Sequence, residues 1–380
     1  MQSTLDYPET EENPLQFQCS SEGASGAAGK TETKEDGAKD GAGDFQLRLG
    51  RTKRVSTKMD VNRLRNELIQ FEIQHEDLSL SNGTLGGGSF GEVREGEWQN
   101  VSVAVKTIRS RVSDIKFLRE VKMMSRVNHP RIVRFYGFTM SPNRIVMELV
   151  EKGSLKDRLR QGRIPLQYCR KFAIDVAQGV CYLHGQKPPI VHRDLKPENI
   201  LMAEDGCRIA DFGISAEVHK PDFGTRCGTN WYMAPEVMLA QQYSEKADIF
   251  SFSIVLWQML SGLEPYSEVK QRGLNLQFDI AKKMRRPQWP ASSSSSSSSA
   301  EALSSLKGIV ELCWQQTPSQ RPSMKDVIQK LTRIKKKQQQ LQQSEQSHVT
   351  AIKDDDIDSN GAQTIRSSAA ANGHKPAASR

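Results

Sequence analysis

Apolar positions are spread unevenly along the chain. Residues 1 to about 60 are rich in Gly, Ser, Ala, Glu and Lys and poor in aromatics. Such a segment buries too little apolar surface to offset its ordering entropy, which predicts a disordered tail over 1–60. From Asp60, DVNRLRNELIQFEI sets Val61, Leu64 and Leu68 at helical spacing and predicts a short helix over 61–70 that leans on the domain that follows. Apolar density then rises and holds to about Ile334. Within it, Val93 and then Val101, Val103 and Val105 lie in β-prone runs broken by Gln99-Asn100, a strand-turn-strand pattern. SDIKFLREVKMMSRV is helical, with Phe117, Val121 and Met124 along one side. Ser292 to Ser299 is an unbroken serine run with nothing to build a core, which predicts an exposed flexible loop over 291–300. Past Ile334, a glutamine-rich run, the acidic DDDID and a small-residue end predict a loose tail over 335–380 without sustained heptads.

Composition narrows the classes. Hydrophobic residues make up 37% of the 380, which fits a folded centre with polar tails. The six cysteines are scattered with no C-x-x-C, so neither a zinc site nor a disulfide framework is suggested, and a reducing, cytoplasmic setting is expected. No apolar run reaches the roughly 18 residues that span a bilayer. The N-terminus shows no signal-peptide pattern, and Gln2 excludes N-myristoylation. The net charge of +8 owes much to short runs such as RTKR before Ser56 and Lys335 to Lys337, weak patches for nuclear import. No nucleic-acid motif accompanies them.

Candidate chemistry starts at LGGGSFGEV, Leu85 to Val93, where Gly86, Gly88 and Gly91 are spaced G-x-G-x-x-G. A dinucleotide turn with this spacing would open a helix next. Here β-prone runs follow instead, so the loop belongs to a hairpin whose bare backbone lets phosphate oxygens approach. Lys106 closes the next strand, fifteen residues beyond Gly91. An inward ammonium needs a partner. Glu120, beside the apolar stripe of the following helix, is one candidate; an ordinary surface Glu paired with its helix neighbours is the other reading. VHRDLKPENIL and IADFG then bring Asp194, Asn199 and Asp211 within eighteen residues, among Ile190, Val191, Leu195, Ile200, Leu201, Ile209 and Phe212. Carboxylates in apolar surroundings need a cation, and Asp and Asn oxygens suit Mg²⁺ shared with substrate phosphates.

With Ala234-Pro235-Glu236, these motifs complete an ordered set. Over about residues 71 to 334 the sequence resembles a eukaryotic protein kinase. The resemblance implies an α+β, bilobal protein kinase fold: a small, mostly β N-lobe at about 71–147 and a larger, mostly α C-lobe at about 153–334. It implies ATP and Mg²⁺ as cofactors. By similarity, Leu85, Gly86, Gly87, Gly88, Ser89, Phe90 and Gly91 cover the phosphates, which Lys106, held by Glu120, also binds. Adenine sits among Val93, Ala104 and Leu201, its edge on the backbone of Glu148 and Val150, with Met147 at the back. Asp211 and Asn199 hold the metal, Asp194 takes or orients the acceptor proton, and Lys196 neutralises the phosphoryl group in flight.

Lys196 two residues after Asp194, and Thr229 five before Ala234, resemble kinases that modify Ser and Thr. EDLSLSNGTLGGGSFGEV, EKGSL and CWQQTPSQRPSM resemble the tyrosine-kinase-like group. The blend implies a tyrosine-kinase-like Ser/Thr kinase acting on protein substrates. Dual or tyrosine specificity and a pseudokinase scaffold are the alternatives; the second conflicts with the retained Lys106, Glu120, Asp194, Asn199 and Asp211. Arg193 before Asp194 implies a phosphate acceptor on the 211–236 segment at Thr225, filled by an upstream kinase or by self-phosphorylation. Asp248 is expected to anchor the catalytic loop and Arg321 to pair with Glu236. Phe250 and Ser253 stand where the family usually shows Trp or Tyr and Gly, which implies only packing adjustments.

Overall fold

The structure is a computed structural model that describes residues 58–88, 91–109, 112–211, 231–270, 276–291 and 297–334. Ser89, Phe90, Thr225 and Thr229, and the expected loose segments over 1–57, 292–296 and 335–380, lie outside those residues. The chain divides into two compact units. The first runs to Arg126 and includes Phe135–Glu148; the second takes Val127–Arg134 and the chain from Leu149.

The first unit is a five-stranded antiparallel sheet, β1 (Leu78–Gly88), β2 (Gly91–Trp98), β3 (Val101–Ile108), β4 (Phe135–Thr139) and β5 (Arg144–Glu148), in the order β1-β2-β3-β5-β4. Gln99 and Asn100 join β2 to β3 with φ of 51° and 61°. Positive φ at both central residues marks the two-residue turn whose twist matches flanking strands. Strand β3 is buried without interruption from Val103 to Lys106, because both its faces are covered. One face packs Val103, Val105 and Val146 under Ile73 and Leu78. The other carries Ala104, Lys106, Ile145, Met147 and Phe138 and lies under helix α2 (Asp114–Met124). There Phe117 meets Phe138 edge-on at 5.9 Å.

Helix α1 spans Lys58–Glu67, with Asp60 in its first turn and Arg65 in its last. That charge order complements the helix dipole. It corrects the expected bounds: residues 58–60 are helical rather than part of a disordered tail, and the helix stops before Leu68 rather than reaching residue 70. Leu68, 3% exposed, starts a strap that turns once over Ile69–Phe71, so burial of Leu68 wins over continuing the helix.

The second unit is mainly helical: α3 (Leu155–Arg160), α4 (Leu166–His184), α5 (Pro235–Met238), α6 (Lys246–Ser261), α7 (Ser267–Lys270), α8 (Leu276–Lys282), α9 (Ser297–Cys313) and α10 (324–334), with one hairpin, β6 (Ile200–Ala203) and β7 (Gly206–Ile209). Ser154 and Asp157 cap α3 reciprocally. Residues 127–134 belong here, not to the N-lobe span of about 71–147. The reason is pairing: Val133 N–H donates to Ile209 O, Ile209 N–H donates to Arg131 O, both at 2.9 Å, and the Arg131 guanidinium reaches Asp175 and Asp205. The expected loop over 291–300 is shorter too, since α9 begins at Ser297. Ala302, Leu306, Ile309 and Val310 are buried on α9, and that apolar stripe carries the helix back into the serines.

Helix α6, buried along nearly its whole length, is the centre of this unit and ends at Gly262 with φ of 71°, a left-handed cap that suits glycine. Phe250 is fully buried, with Arg286 at 4.9 Å and Arg321 at 5.2 Å from its ring, and Ser253 Oγ donates to Phe250 O at 2.5 Å. Both side chains thus sit in local packing and hydrogen-bonding contacts of their own. Arg321 forms the expected fork with Glu236, at 2.7 and 2.9 Å. Among the described residues, no helix is long and apolar enough to cross a membrane.

Burial pushes the Asp175 carboxyl up to about 6, against the pull of the Arg131 guanidinium and the Cys207 N–H. An acid raised above its unfolded value binds a proton in the folded state first, so its contribution is full below about pH 4 and is lost as pH rises through about 6. Asp175→Asn lacks that loss. Urea titrations should show the variant gaining on the wild type by about 2–3 kcal/mol between pH 4 and 7; a pH-independent difference would refute the assignment.

Candidate active site

The catalytic-loop candidates rest on Asp248, in the first turn of α6 and fully buried. Its Oδ2 accepts the His192 N–H and faces His184 Nε2, each at 2.8 Å, and its Oδ1 accepts the Arg193 N–H at 2.9 Å. Burial alone would raise this carboxyl; the His184 hydrogen bond first, and then the Arg193 N–H, hold it below the usual range. The expected anchoring role is thus visible in the geometry. His184 was not legible as a partner, because nothing in its spacing from Asp248 announces it.

His192 fixes the next turn. Its Nε2 lies 3.0 Å from Ala210 O and its Nδ1 lies 3.3 Å from Asp194 N. A carbonyl only accepts and an amide N–H only donates, so the ring hydrogen sits on Nε2. The imidazole therefore links the loop to the strand leading into Asp211. Arg193 and Asp211 both have left-handed backbone, with φ of 70° and 57°. Residues other than glycine rarely hold that conformation, and such strain persists where the surroundings over-determine it, often at working sites.

Asp194, Lys196 and Asn199 come together. Lys196 Nζ is 2.6 Å from Asp194 Oδ2. Asn199 Nδ2 donates to Asp194 O at 2.8 Å and to Oδ2 at 3.1 Å. With the amide nitrogen committed there, the Asn199 carbonyl oxygen is the end left for another role. Ala210 N–H donates to Asn199 O at 2.9 Å, extending the Ile200–Ile209 pairing of the β6–β7 hairpin. That pairing brings Asp211 alongside Asn199. Leu201 pairs with Arg208 on the same hairpin.

The Arg193 guanidinium stacks on the Tyr243 ring at 5.2 Å, and its Nε and Nη1 are buried with no hydrogen-bond partner among the described residues. Buried guanidinium nitrogens without an acceptor are costly unless an anion meets them. Tyr243 was missed in the sequence, which places it fifty residues from Arg193.

In the first unit the glycine-rich stretch is a hairpin: Gly86 pairs with Val93, Gly87 with Glu92 and Gly88 with Gly91. Leu85 is half-exposed. A Cβ on Gly91 would lie 2.1 Å from Thr107 O, so sheet packing demands that glycine. A Cβ on Gly86 would meet nothing within 4 Å, so packing within the protein does not account for it. Val93 pairs with Lys106 and Ala104 with Met147, which puts these four on one sheet face. Glu148 closes β5 and the first unit; Val150 belongs to the second. Lys106 and Glu120 are 5% and 8% exposed, so Glu120 is not the surface residue of the alternative reading. It stands one turn beyond Phe117, on the side of α2 that packs on the sheet.

The donor set also bears on a metal. Among the described residues no group of three or more His, Cys, Asp or Glu could hold one alone. Asn199 and Asp211 supply oxygen only, the choice of Mg²⁺, which keeps waters and shares substrate phosphates. These residues fit that ion.

Comparison with known proteins gives one consistent result. The protein kinase domain pattern matches residues 80–331. The chain is 37% identical over 276 residues to the dual specificity protein kinase shkC of Dictyostelium discoideum, covering 69% of this chain and 52% of that protein. It is 32% identical over 278 residues to human mitogen-activated protein kinase kinase kinase 7, covering 71% and 44%. A putative serine/threonine-protein kinase/receptor, R818, of Acanthamoeba polyphaga mimivirus is 33% identical over 268 residues, covering 69% and 15%. The chain thus spans about half the length of the first two relatives, and less of the third.

Asp248→Ala would take the acceptor from three donors at once, one of them fully buried. Chemical denaturation should report a loss of about 3–5 kcal/mol. A loss under about 1 kcal/mol would mean the loop is held elsewhere.

Proposed function

The chain belongs to the protein kinase family, and from that premise we propose that it is an ATP-dependent protein serine/threonine kinase of the tyrosine-kinase-like group. The observation that carries this reading is the Asp194 carboxylate, gripped by Lys196 and Asn199 on a loop that Asp248 fixes. Protein kinases generally use ATP and Mg²⁺.

In the proposed reaction the acceptor hydroxyl oxygen attacks the γ-phosphorus. The bond to the β–γ bridging oxygen breaks, ADP leaves, and the hydroxyl proton passes to Asp194. Lys196 keeps the Asp194 carboxylate oriented and offsets the negative charge of the phosphoryl group in flight. Lys106 binds the α- and β-phosphates, and Glu120 holds its ammonium inward. The backbone of Leu85–Gly91 lies over the phosphates, where a bare Gly86 leaves room for them. By similarity to the family, Val93, Ala104, Met147 and Leu201 are the residues assigned to the adenine, and the backbone of Glu148 and Val150 would bond its edge. Asn199 and Asp211 would hold Mg²⁺. When bound, the ion neutralises charge on the phosphate oxygens.

The substrates proposed are proteins bearing Ser or Thr acceptors, and the setting is cytoplasmic. Thr229 would contact Asp194 and Lys196, favouring an aliphatic hydroxyl. The shkC relative carries a dual-specificity name, which makes tyrosine transfer the second reading. Arg193 is proposed to meet a phosphate on Thr225, added by an upstream kinase or by the enzyme itself. Its nitrogens, buried and without a partner among the described residues, favour such an anion.

Turnover of Mg-ATP on a generic basic protein, with phosphoamino-acid analysis, tests the activity. Asp194→Ala should cut kcat by about 10²- to 10⁴-fold while the fold is retained. Transfer that survives this change would remove Asp194 from the role, and phosphotyrosine as the main product would favour the second reading. Complete dephosphorylation should bring the wild type down to the activity of Thr225→Ala; equal activity before and after treatment would reject the switch.

A further inference from the structure

The segment ahead of β1 has no part in the chemistry above, yet it is firmly built into the first unit. Glu72 bridges in parallel to Phe138, and Ile73 N–H donates to Phe138 O at 2.8 Å, which covers the free edge of β4. Phe71 packs on Phe135 with ring centroids 5.8 Å apart. The approach is so close that a Cβ on Gly137 would lie 2.5 Å from Phe71 O and 2.7 Å from Ile73 Cδ1. From this base the chain runs back through buried Leu68 to α1. Arg65 clamps the two parts together by a fork onto Glu72, with contacts of 2.8 and 2.5 Å.

Helix α1 then packs on α2. Glu67 Oε2 takes Lys122 Nζ at 2.5 Å. The hydrogen bond and charge of Lys122 hold the Glu67 carboxyl below its ordinary value. Lys122 comes two residues after Glu120. Two residues turn an α-helix by about 200°, so the pair grips α2 from the side opposite Glu120. Glu120 is buried against the sheet while Lys122 is exposed towards α1. At eleven residues α2 is too short to be stable by itself and depends on what packs around it.

We propose that residues 58–73 form a brace that holds α2 against the sheet and so places Glu120, with Glu67 and Lys122 as positioning residues. The placement of Glu120 rests on the kinase reading above; the bracing of α2 does not. Helices shift by small translations and rotations when their contacts change. In a kinase, the Lys–Glu pair must be in place for transfer. An interaction on the outer side of α2 therefore acts on the inner side through helix position alone.

The test is a charge-reversal cycle in the full chain: Glu67→Lys, Lys122→Glu and both together. Hydrogen exchange over 114–124 reads α2 directly, and steady-state kinetics read Glu120. Each single change should speed α2 exchange and lower kcat by roughly three- to tenfold, with KM for ATP raised. KM for the protein substrate should hold within about twofold and the melting midpoint within about 2 °C, as befits an exposed pair. The double variant should recover wild-type exchange and kcat. Unchanged α2 exchange in the single variants, or no recovery in the double, overturns the brace. Recovered exchange with kcat unmoved throughout overturns its positioning role. A wild-type protein that transfers no phosphate sinks the kinase reading, while the exchange data still decide the brace.

Discussion

One buried carboxylate organises the loop on which the proposed chemistry depends. Asp248 accepts the N–H groups of His192 and Arg193 and faces His184, all within 2.9 Å. A fully buried charge is costly unless its lone pairs are met, and here they are met by the residues just before Asp194. The energy of satisfying Asp248 thereby forces the loop into one conformation. Arg193 absorbs the consequence as a left-handed backbone, and Asp194 emerges where Lys196 and Asn199 reach it. His192 passes the constraint on to Ala210 and hence to Asp211.

A similar economy governs the first unit. Strand β3 is covered on both faces, so its alternating residues do two jobs. Val103 and Val105 enter the core under the N-terminal strap. Ala104 and Lys106 face the side where α2 brings Glu120. The strap and α1 are therefore not appendages to the sheet. The strap covers the face and the edge that the five strands leave open, and α1 packs on α2.

Much of this was legible in the chain. The valine runs around Gln99-Asn100 announce the β2–β3 hairpin, and the glycine spacing followed by strands rather than a helix places that stretch in the β1–β2 hairpin. The clustering of Asp194, Asn199 and Asp211 among apolar residues flags their shared environment, since isolated carboxylates do not sit in such surroundings without cause. Boundaries were less legible. Helix α1 takes in residues 58–60, which composition alone had assigned to the tail, and it stops before Leu68 because that leucine is claimed by the core. The serine run yields its last residues to α9 because an apolar stripe downstream extends the helix. Val127–Arg134 joins the second unit through Arg131, Ile132 and Val133, whose partners are forty or more residues away.

By itself, then, the sequence determined the chemistry available: the order of glycine loop, lysine, carboxylates and amide, and the β and α character of the segments that bear them. These are local properties, set by residue type and short spacing. Only the tertiary structure decided who meets whom. That His184 shares Asp248 with the loop, that Tyr243 carries Arg193, that Gly137 must be bare for the strap to pass, and that Lys122 turns outward to Glu67 all depend on residues distant in the chain. Local pattern carries no record of such meetings, because they follow from packing two or more finished elements against one another.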